Sequence, residues 1–156
     1  MKTKKKITFV CSGNYYRSRY AESYFNYISD VLGLPYQADS FGLAVHLADD
    51  LAKEHGEISP FSRKKLEDAG IPEKYFDRNR KSLTKDDIES SDFIIAMDKE
   101  EHVPMIKEKF PKYIHQFNFF EIKDIFDWEP EKTLSESQKK VEMIINQILK
   151  DGEVSF

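Results

Sequence analysis

Short apolar runs alternate with amphipathic segments along this chain, and the alternation excludes most architectures. "ITFVC" (7–11) and "DFIIAMD" (92–98) are apolar runs rich in β-branched and aromatic residues and bounded by polar ones, a pattern typical of buried strands. "PYQADSFG" (35–42) has a weaker strand pattern, and "YIHQFNFF" (113–120) alternates apolar and polar residues as a strand does. Helical patterns occupy other segments: 21–32, 59–70, 84–88, 99–111 and 134–150.

Local signals at helix ends support several of these helices. Gly33 follows the apolar stripe that runs from Ala21 to Val31 and Leu32, and Ser59 precedes a proline at a first helical position. Ser135 stands three residues before Gln138, which predicts a capping box at the start of the last helix. The chain therefore reads as strands and helices in alternation.

Alternating strands and helices predict an α/β fold with a short parallel sheet of about four strands and helices on both faces. With 156 residues, we expect residues 1–156 to form a single domain. In such sheets the ligand crevice lies beyond the carboxyl ends of the strands, and the first strand-to-helix turn is a frequent anion site. A phosphate loop is expected there, directly after Cys11.

Charge and cysteine content limit the function. The net charge is −4, which does not favour binding to nucleic acid or to an anionic membrane, and no run is long enough to span a bilayer. A lone cysteine excludes an internal disulfide framework and fits the reducing cytoplasm. We expect neither a metal nor a cofactor, because none of the histidines has the spacing of metal ligands: His46, His55, His102 and His115.

"CSGNYYRS" (11–18) has the composition of an anion-binding loop. A loop that leads from a strand into a helix directs backbone N–H groups and the helix dipole at one hollow, which suits a phosphate and stabilises a thiolate. Arg17 supplies a planar fork that matches two phosphate oxygens. Gly13 permits a tight loop, and the Asn14 side chain can hold the loop together through hydrogen bonds.

A second interpretation of Cys11 requires no chemistry. A cysteine that ends an apolar strand is commonly a small buried core residue, and Cys-x5-Arg alone is a weak pattern. The spacing gains weight from its context, since it coincides with a strand-to-helix turn and a Gly-Asn pair at the predicted ligand edge.

"VCSGNYYRSRYAE" (10–22) resembles the signature of the low-molecular-weight protein tyrosine phosphatases: an apolar residue, Cys-x-Gly-Asn-x-Cys-Arg-Ser and then Ala-Glu. "DSFGL" (39–43), "AGI" (69–71) and "SLTKDDIESSDFIIAMD" (82–98) are similar to further segments of that family, so the resemblance covers most of the chain. It implies that Cys11 is the nucleophile and Arg17 binds the phosphoryl oxygens. The implied phosphate-binding loop consists of Ser12, Gly13, Asn14, Tyr15, Tyr16, Arg17 and Ser18.

The resemblance also implies supporting residues and a general acid. Asn14 and Ser18 are expected to brace the loop, with Ser40 as a further support. The family carries its acid in an Asp-Pro-aromatic segment near the carboxyl end, and here "DIFDWE" aligns Asp127 with that position. Asp127 is therefore the favoured acid, and Asp124 is the alternative.

This chain departs from the family pattern at three positions. Tyr16 stands where a second cysteine is common, so a protective disulfide cannot form, and Tyr15 occupies a position that influences substrate choice. Trp128 replaces the proline after the acid, which removes a fixed φ from that loop.

The resemblance predicts a phosphomonoesterase that hydrolyses protein phosphotyrosine, or small aryl phosphates, through a cysteinyl-phosphate intermediate. Inorganic phosphate or another oxyanion would also bind the loop. Phosphoarginine remains an alternative substrate, and a phosphate-binding module with little turnover remains an alternative function. Thioredoxin-linked arsenate reductases share the fold, but they relay electrons through additional cysteines that this chain lacks.

Overall fold

A computed structural model of the protein describes residues 3–154. Its four strands form one sheet in the order β2-β1-β3-β4. All three neighbouring pairs run parallel. The strands are β1 (Lys5–Cys11), β2 (Tyr36–Gly42), β3 (Phe93–Ala96) and β4 (Phe117–Phe119). The predicted parallel α/β sheet is confirmed, and the predicted domain, 1–156, extends to terminal residues that lie outside the described range.

Helices cover both faces of the sheet. They are α1 (Arg17–Leu32), α2 (Asp49–His55), α3 (Pro60–Asp68), α4 (Lys85–Ser90), α5 (Lys99–Lys109) and α6 (Pro130–Asp151). Alternate side chains of β1 point to opposite faces, as the pleat requires. Ile7, Phe9 and Cys11 join the core formed with α1 and α6, whereas Val10 joins the core formed with α4 and α5.

The structure corrects three sequence predictions. The Ser135–Gln138 capping box is wrong, because α6 already begins at Pro130, a residue that needs no N–H partner at a first helical position. Only Phe117–Phe119 of the predicted strand 113–120 is extended, since Pro111–Gln116 forms a 3₁₀ helix. Helix α2 is an addition that no sequence pattern predicted, and it is not counted among the three.

The third correction concerns the apolar stripe of α1. Val31 and Leu32 are 64% and 47% exposed, respectively. The last turn instead buries Ser29, whose hydroxyl donates a hydrogen bond to the Tyr36 carbonyl at 2.7 Å. A polar side chain can take this core-facing position because its hydroxyl is satisfied there.

The carboxyl ends of three strands converge on one edge of the sheet. The strand β1 continues into the loop 12–16 and then α1, β3 leads through Asp98 into α5, and β4 leads into the segment 120–129 that precedes α6. The topology thus brings three connections that are distant in sequence to one site.

Among residues 3–154, no helix is long and apolar enough to cross a membrane.

Candidate active site

The loop between β1 and α1 has a constrained backbone. Asn14 has a φ of 51°, in the left-handed region that asparagine tolerates better than most residues. Gly13 lies so close to Ala48 that an added Cβ would be 2.9 Å from the Ala48 Cβ. The Gly-Asn pair is therefore required by the path of the loop.

The Asn14 side chain forms hydrogen bonds that link the loop to its surroundings. Its Oδ1 accepts the Lys81 backbone N–H at 2.9 Å, and this bond fixes the orientation of the amide. Its Nδ2 then donates to the hydroxyls of Ser18 and Ser40, at 2.9 Å each. The residues named as loop supports thus contact one another.

The sulfur of Cys11 lies 2.9 Å from the Ser18 hydroxyl oxygen. Because that oxygen already accepts from Asn14, the Ser18 proton is free to point at sulfur. Cys11 is only 2% exposed and belongs to the core, yet it also lines a cavity. Cys11 therefore has the burial of a core residue and also a position on a cavity, where a nucleophile would lie.

A buried charge network outside the loop supports Ser40. The Ser40 hydroxyl donates to Glu22 Oε1 at 2.7 Å, and Arg78 Nη2 donates to the Ser40 hydroxyl at 2.7 Å. Arg78 also forms an ion pair with Glu22, which is buried. Sequence reasoning missed Arg78, since it lies 64 positions from Asn14 and no local pattern marks it.

Arg17 is 2% exposed and its guanidinium is held on two sides. Nη1 donates to the Ile122 carbonyl at 3.0 Å, and Nη2 donates to Glu101 Oε2 at 2.7 Å. Burial opposes the charge, but the Glu101 hydrogen bond and nearby negative charges outweigh it and raise the pKa of Arg17. The arginine is therefore a fixed cation at the end of the loop.

The two candidate acids differ in position. Asp124 Oδ2 lies 3.4 Å from Arg17 Nη2, and Asp124 lines the same cavity as Cys11. The Asp124 carbonyl accepts the N–H groups of Asp127 and Trp128, both at 3.0 Å, in a tight turn. Asp127 is exposed beyond this turn and is not among the residues that line the cavity.

Tyr15 and Tyr16 line the cavity, but both side chains are largely buried, at 7% and 8% exposure. They pack in a cluster with Ala48, Ala52 and Ile58. Burial raises the pKa of Tyr16 to about 12 and also raises that of Tyr15. Both phenols are neutral near pH 7 and add no negative charge to the loop.

The cavity over Cys11 measures 740 Å³. Its rim is largely apolar, with exposed side chains contributed by Leu47, Leu51, Phe61, Ile125 and Phe126. Phe126 is 92% exposed, which is unusual for a phenylalanine side chain.

Across residues 3–154 no cluster of His, Cys, Asp and Glu could hold a metal ion.

Gly42, at the end of β2, controls how closely this strand approaches the loop. An added Cβ would lie 2.7 Å from the Ser12 carbonyl oxygen and 3.1 Å from the Asn14 nitrogen. We expect Gly42→Ala to destabilise the protein by about 1–3 kcal/mol through overpacking. We also expect kcat/KM to fall about tenfold or more because the loop must shift.

Gly152→Ala is the matched control for that prediction. Gly152 ends α6 with a φ of 80°, and an added Cβ would have nothing within 4 Å, so its replacement strains the backbone far from the loop. It should lower the melting temperature and leave kcat/KM unchanged. Equal kinetic effects of both variants would contradict the role given to Gly42.

Cys11 and the buried Arg17 line one cavity at a loop that begins a helix, an arrangement that suits a nucleophilic cysteine and an anionic substrate. The fold and this site therefore define a cysteine-dependent phosphatase. The sequence model of the family described as low molecular weight phosphotyrosine protein phosphatase matches residues 6–151. The chain belongs to that family, whose members use a cysteine nucleophile.

Solved structures support the same assignment. The chain is 26% identical to the low molecular weight protein tyrosine phosphatase SP-PTP from Streptococcus pyogenes, with a TM-score of 0.72, covering 92% of this chain and 93% of that one. It is 24% identical to a low molecular weight protein tyrosine phosphatase from T. tengcongensis, with a TM-score of 0.73 and coverage of 92% and 99%.

A third similar structure carries a different substrate in its name. A mutant of the YwlE arginine phosphatase with a phosphorylated active-site serine is 22% identical, with a TM-score of 0.73, covering 94% of this chain and 97% of that one. No curated protein matches the chain significantly. The similar structures thus include proteins named as tyrosine phosphatases and one named as an arginine phosphatase.

Proposed function

We propose that the protein hydrolyses phosphotyrosine in proteins through a cysteinyl-phosphate intermediate at Cys11. The observation that carries this proposal is that Cys11 and Arg17 open on one cavity with an apolar rim. Such a rim suits the ring of an aryl phosphate, whose phosphoryl group would reach the loop.

In the first step, the Cys11 thiolate attacks phosphorus, a sulfur–phosphorus bond forms and the bond to the phenolic oxygen breaks. Arg17 and the loop amides of 12–18 stabilise the equatorial oxygens. In the second step, water attacks phosphorus and the sulfur–phosphorus bond breaks. This step releases inorganic phosphate and regenerates the Cys11 thiolate. The Ser18 hydroxyl, 2.9 Å from the sulfur, eases that departure by donating to the thiolate.

We propose Asp124, in place of the sequence-favoured Asp127, as the general acid. The acid must protonate the leaving phenolic oxygen above the loop, and the same carboxylate then accepts a proton from the attacking water. Asp124 lines the cavity together with Cys11, where the leaving oxygen would lie, and this position supports the role. The exposure of Asp127 outside the cavity argues against it.

The apolar rim favours phosphotyrosine over phosphoarginine. A phosphoarginine side chain would bring a polar guanidinium against the exposed apolar side chains of the rim. We expect kcat/KM for a phosphotyrosyl peptide to exceed that for the matching phosphoarginyl peptide by about tenfold or more. The reverse order would assign the chain to phosphoarginine, and an inert protein that still binds orthovanadate would be a phosphate-binding module.

Phe126→Ala tests the rim itself. Loss of an exposed ring that covers the substrate is expected to raise KM for a phosphotyrosyl peptide about threefold to tenfold, while p-nitrophenyl phosphate kinetics change less. Leu149→Ala is the control, because Leu149 is also exposed (56%) but lies on α6 outside the cavity lining. Equal KM values for wild type and Phe126→Ala would remove the rim from substrate binding.

The reaction also bears on partners and location. We propose phosphorylated proteins as substrates and inorganic phosphate as the ligand released in the loop. A reactive thiol as the chain's only cysteine fits a reducing compartment such as the cytoplasm.

A further inference from the structure

Glu101 extends from α5 to the loop between β1 and α1. One of its carboxylate oxygens contacts residues at both ends of that loop. Oε2 accepts a hydrogen bond from Arg17 Nη2 at 2.7 Å and another from the Ser12 hydroxyl. Ser12 directly follows the nucleophile, and Arg17 begins α1. A single carboxylate oxygen therefore ties the loop to a helix that is 84 positions away along the chain.

His102 fixes this carboxylate from behind. Its ring is fully buried, and Nδ1 lies 3.1 Å from the backbone nitrogen of Asp98. A backbone N–H can only donate, so Nδ1 accepts and the ring proton is on Nε2. Nε2 lies 3.0 Å from Glu101 Oε2 and 3.2 Å from the Ser12 hydroxyl oxygen. The histidine is thus an oriented donor to Glu101.

The carboxylate is ionised under working conditions. Burial raises the pKa of Glu101, but hydrogen bonds from His102 and Arg17 and the arginine charge outweigh burial and hold that pKa well below its usual range. Asp124 is a second carboxylate on the same guanidinium. Because acidic groups already counter the charge of Arg17, its orientation matters more than its net charge for binding a phosphoryl group.

We propose that Glu101 is a positioning residue of the phosphatase reaction: its Oε2 holds the Arg17 guanidinium and the Ser12 hydroxyl in the geometry that the transferring phosphoryl group needs. This role rests on the proposed function, since Glu101 acts through Arg17. Binding to a preset arginine avoids the cost of ordering that side chain in each turnover.

Two substitutions separate the position of the oxygen from its charge. Glu101→Gln and Glu101→Ala both remove the negative charge, but glutamine retains an oxygen that can accept from the same donors. With p-nitrophenyl phosphate, we expect kcat of Glu101→Gln to exceed that of Glu101→Ala by about tenfold or more. Inhibition by inorganic phosphate should be stronger in Glu101→Gln than in wild type, because one repelling charge is gone.

Glu108→Gln and Glu108→Ala provide the matched control pair, since Glu108 is exposed on the same helix. Their kcat values should agree within about twofold. Thermal unfolding of all variants checks that each is folded at the assay temperature. A Gln-to-Ala ratio at Glu101 within about twofold would overturn the proposal. An alanine variant faster than wild type would also overturn it, because the carboxylate would then compete with substrate.

If the wild-type protein hydrolyses no phosphate ester, the proposed function is wrong, and the positioning role of Glu101 is then tested separately. Calorimetric binding of orthovanadate to the two Glu101 variants needs no turnover. We expect the dissociation constant for orthovanadate to be lower in Glu101→Gln than in Glu101→Ala by about tenfold or more. Equal affinities in this experiment would exclude positioning by Glu101.

Discussion

Cys11→Ser is expected to lower kcat on p-nitrophenyl phosphate by on the order of ten-thousandfold or more. A serine hydroxyl is not ionised at neutral pH, and its oxygen is a much poorer leaving group in the second step than sulfur. The hydrogen-bonded loop around residue 11 does not depend on the sulfur, since Asn14 braces it through Ser18 and Ser40. Stopped assays at high enzyme concentration measure the residual rate.

The binding of orthovanadate or inorganic phosphate provides the control for that variant. Cys11→Ser should retain a phosphate-dependent rise in melting temperature, because Arg17 and the loop amides are unchanged. A variant that keeps more than about a tenth of the wild-type rate would mean that another group attacks phosphorus. Loss of both folding and phosphate binding would assign Cys11 to the core alone.

Asp124→Asn is expected to cost about a hundredfold or more in kcat/KM with phenyl phosphate, a substrate with a poor leaving group. With p-nitrophenyl phosphate the loss should be smaller, because that leaving group departs with less help from a proton. Asparagine keeps the size of the side chain while it removes the transferable proton. Plotting rate against the basicity of the leaving phenol measures this difference.

Asp127→Asn is the matched control, since Asp127 lies three residues along the same loop and outside the cavity. Its rates should remain within about twofold of wild type for every leaving group. If Asp127→Asn instead loses the rate with phenyl phosphate and Asp124→Asn does not, the acid is the residue that the sequence alignment favours.

The sequence was sufficient to predict the first strand and the loop that follows it. Residues 7–18 contain the strand pattern, the turn residues and the arginine in one uninterrupted segment, so short-range rules apply to all of them. Asn14 contacts Ser18 and Ser40, and the bracing role that the family resemblance implies for these residues stays a prediction.

The acid loop was less predictable. "KDIFDWEP" has no strong periodicity and lacks the expected proline, so an alignment could fix its position only to within three residues. The Asp124 carbonyl accepts two backbone N–H groups in a turn that leaves Ile125 and Phe126 on the cavity and Asp127 outside it. Sequence spacing carries no information about such a turn when its usual marker residue is missing.

The sequence by itself determined the parallel α/β sheet and the reactive loop at its edge, because both follow from local hydrophobic patterns and from residues close together in the chain. Only the tertiary structure decided which distant side chains meet that loop. Glu101 and Arg78 reach it because α5 and the segment before α4 pack against the carboxyl edge of the sheet. Such contacts depend on how elements pack together, and the periodicity of any one element does not encode them.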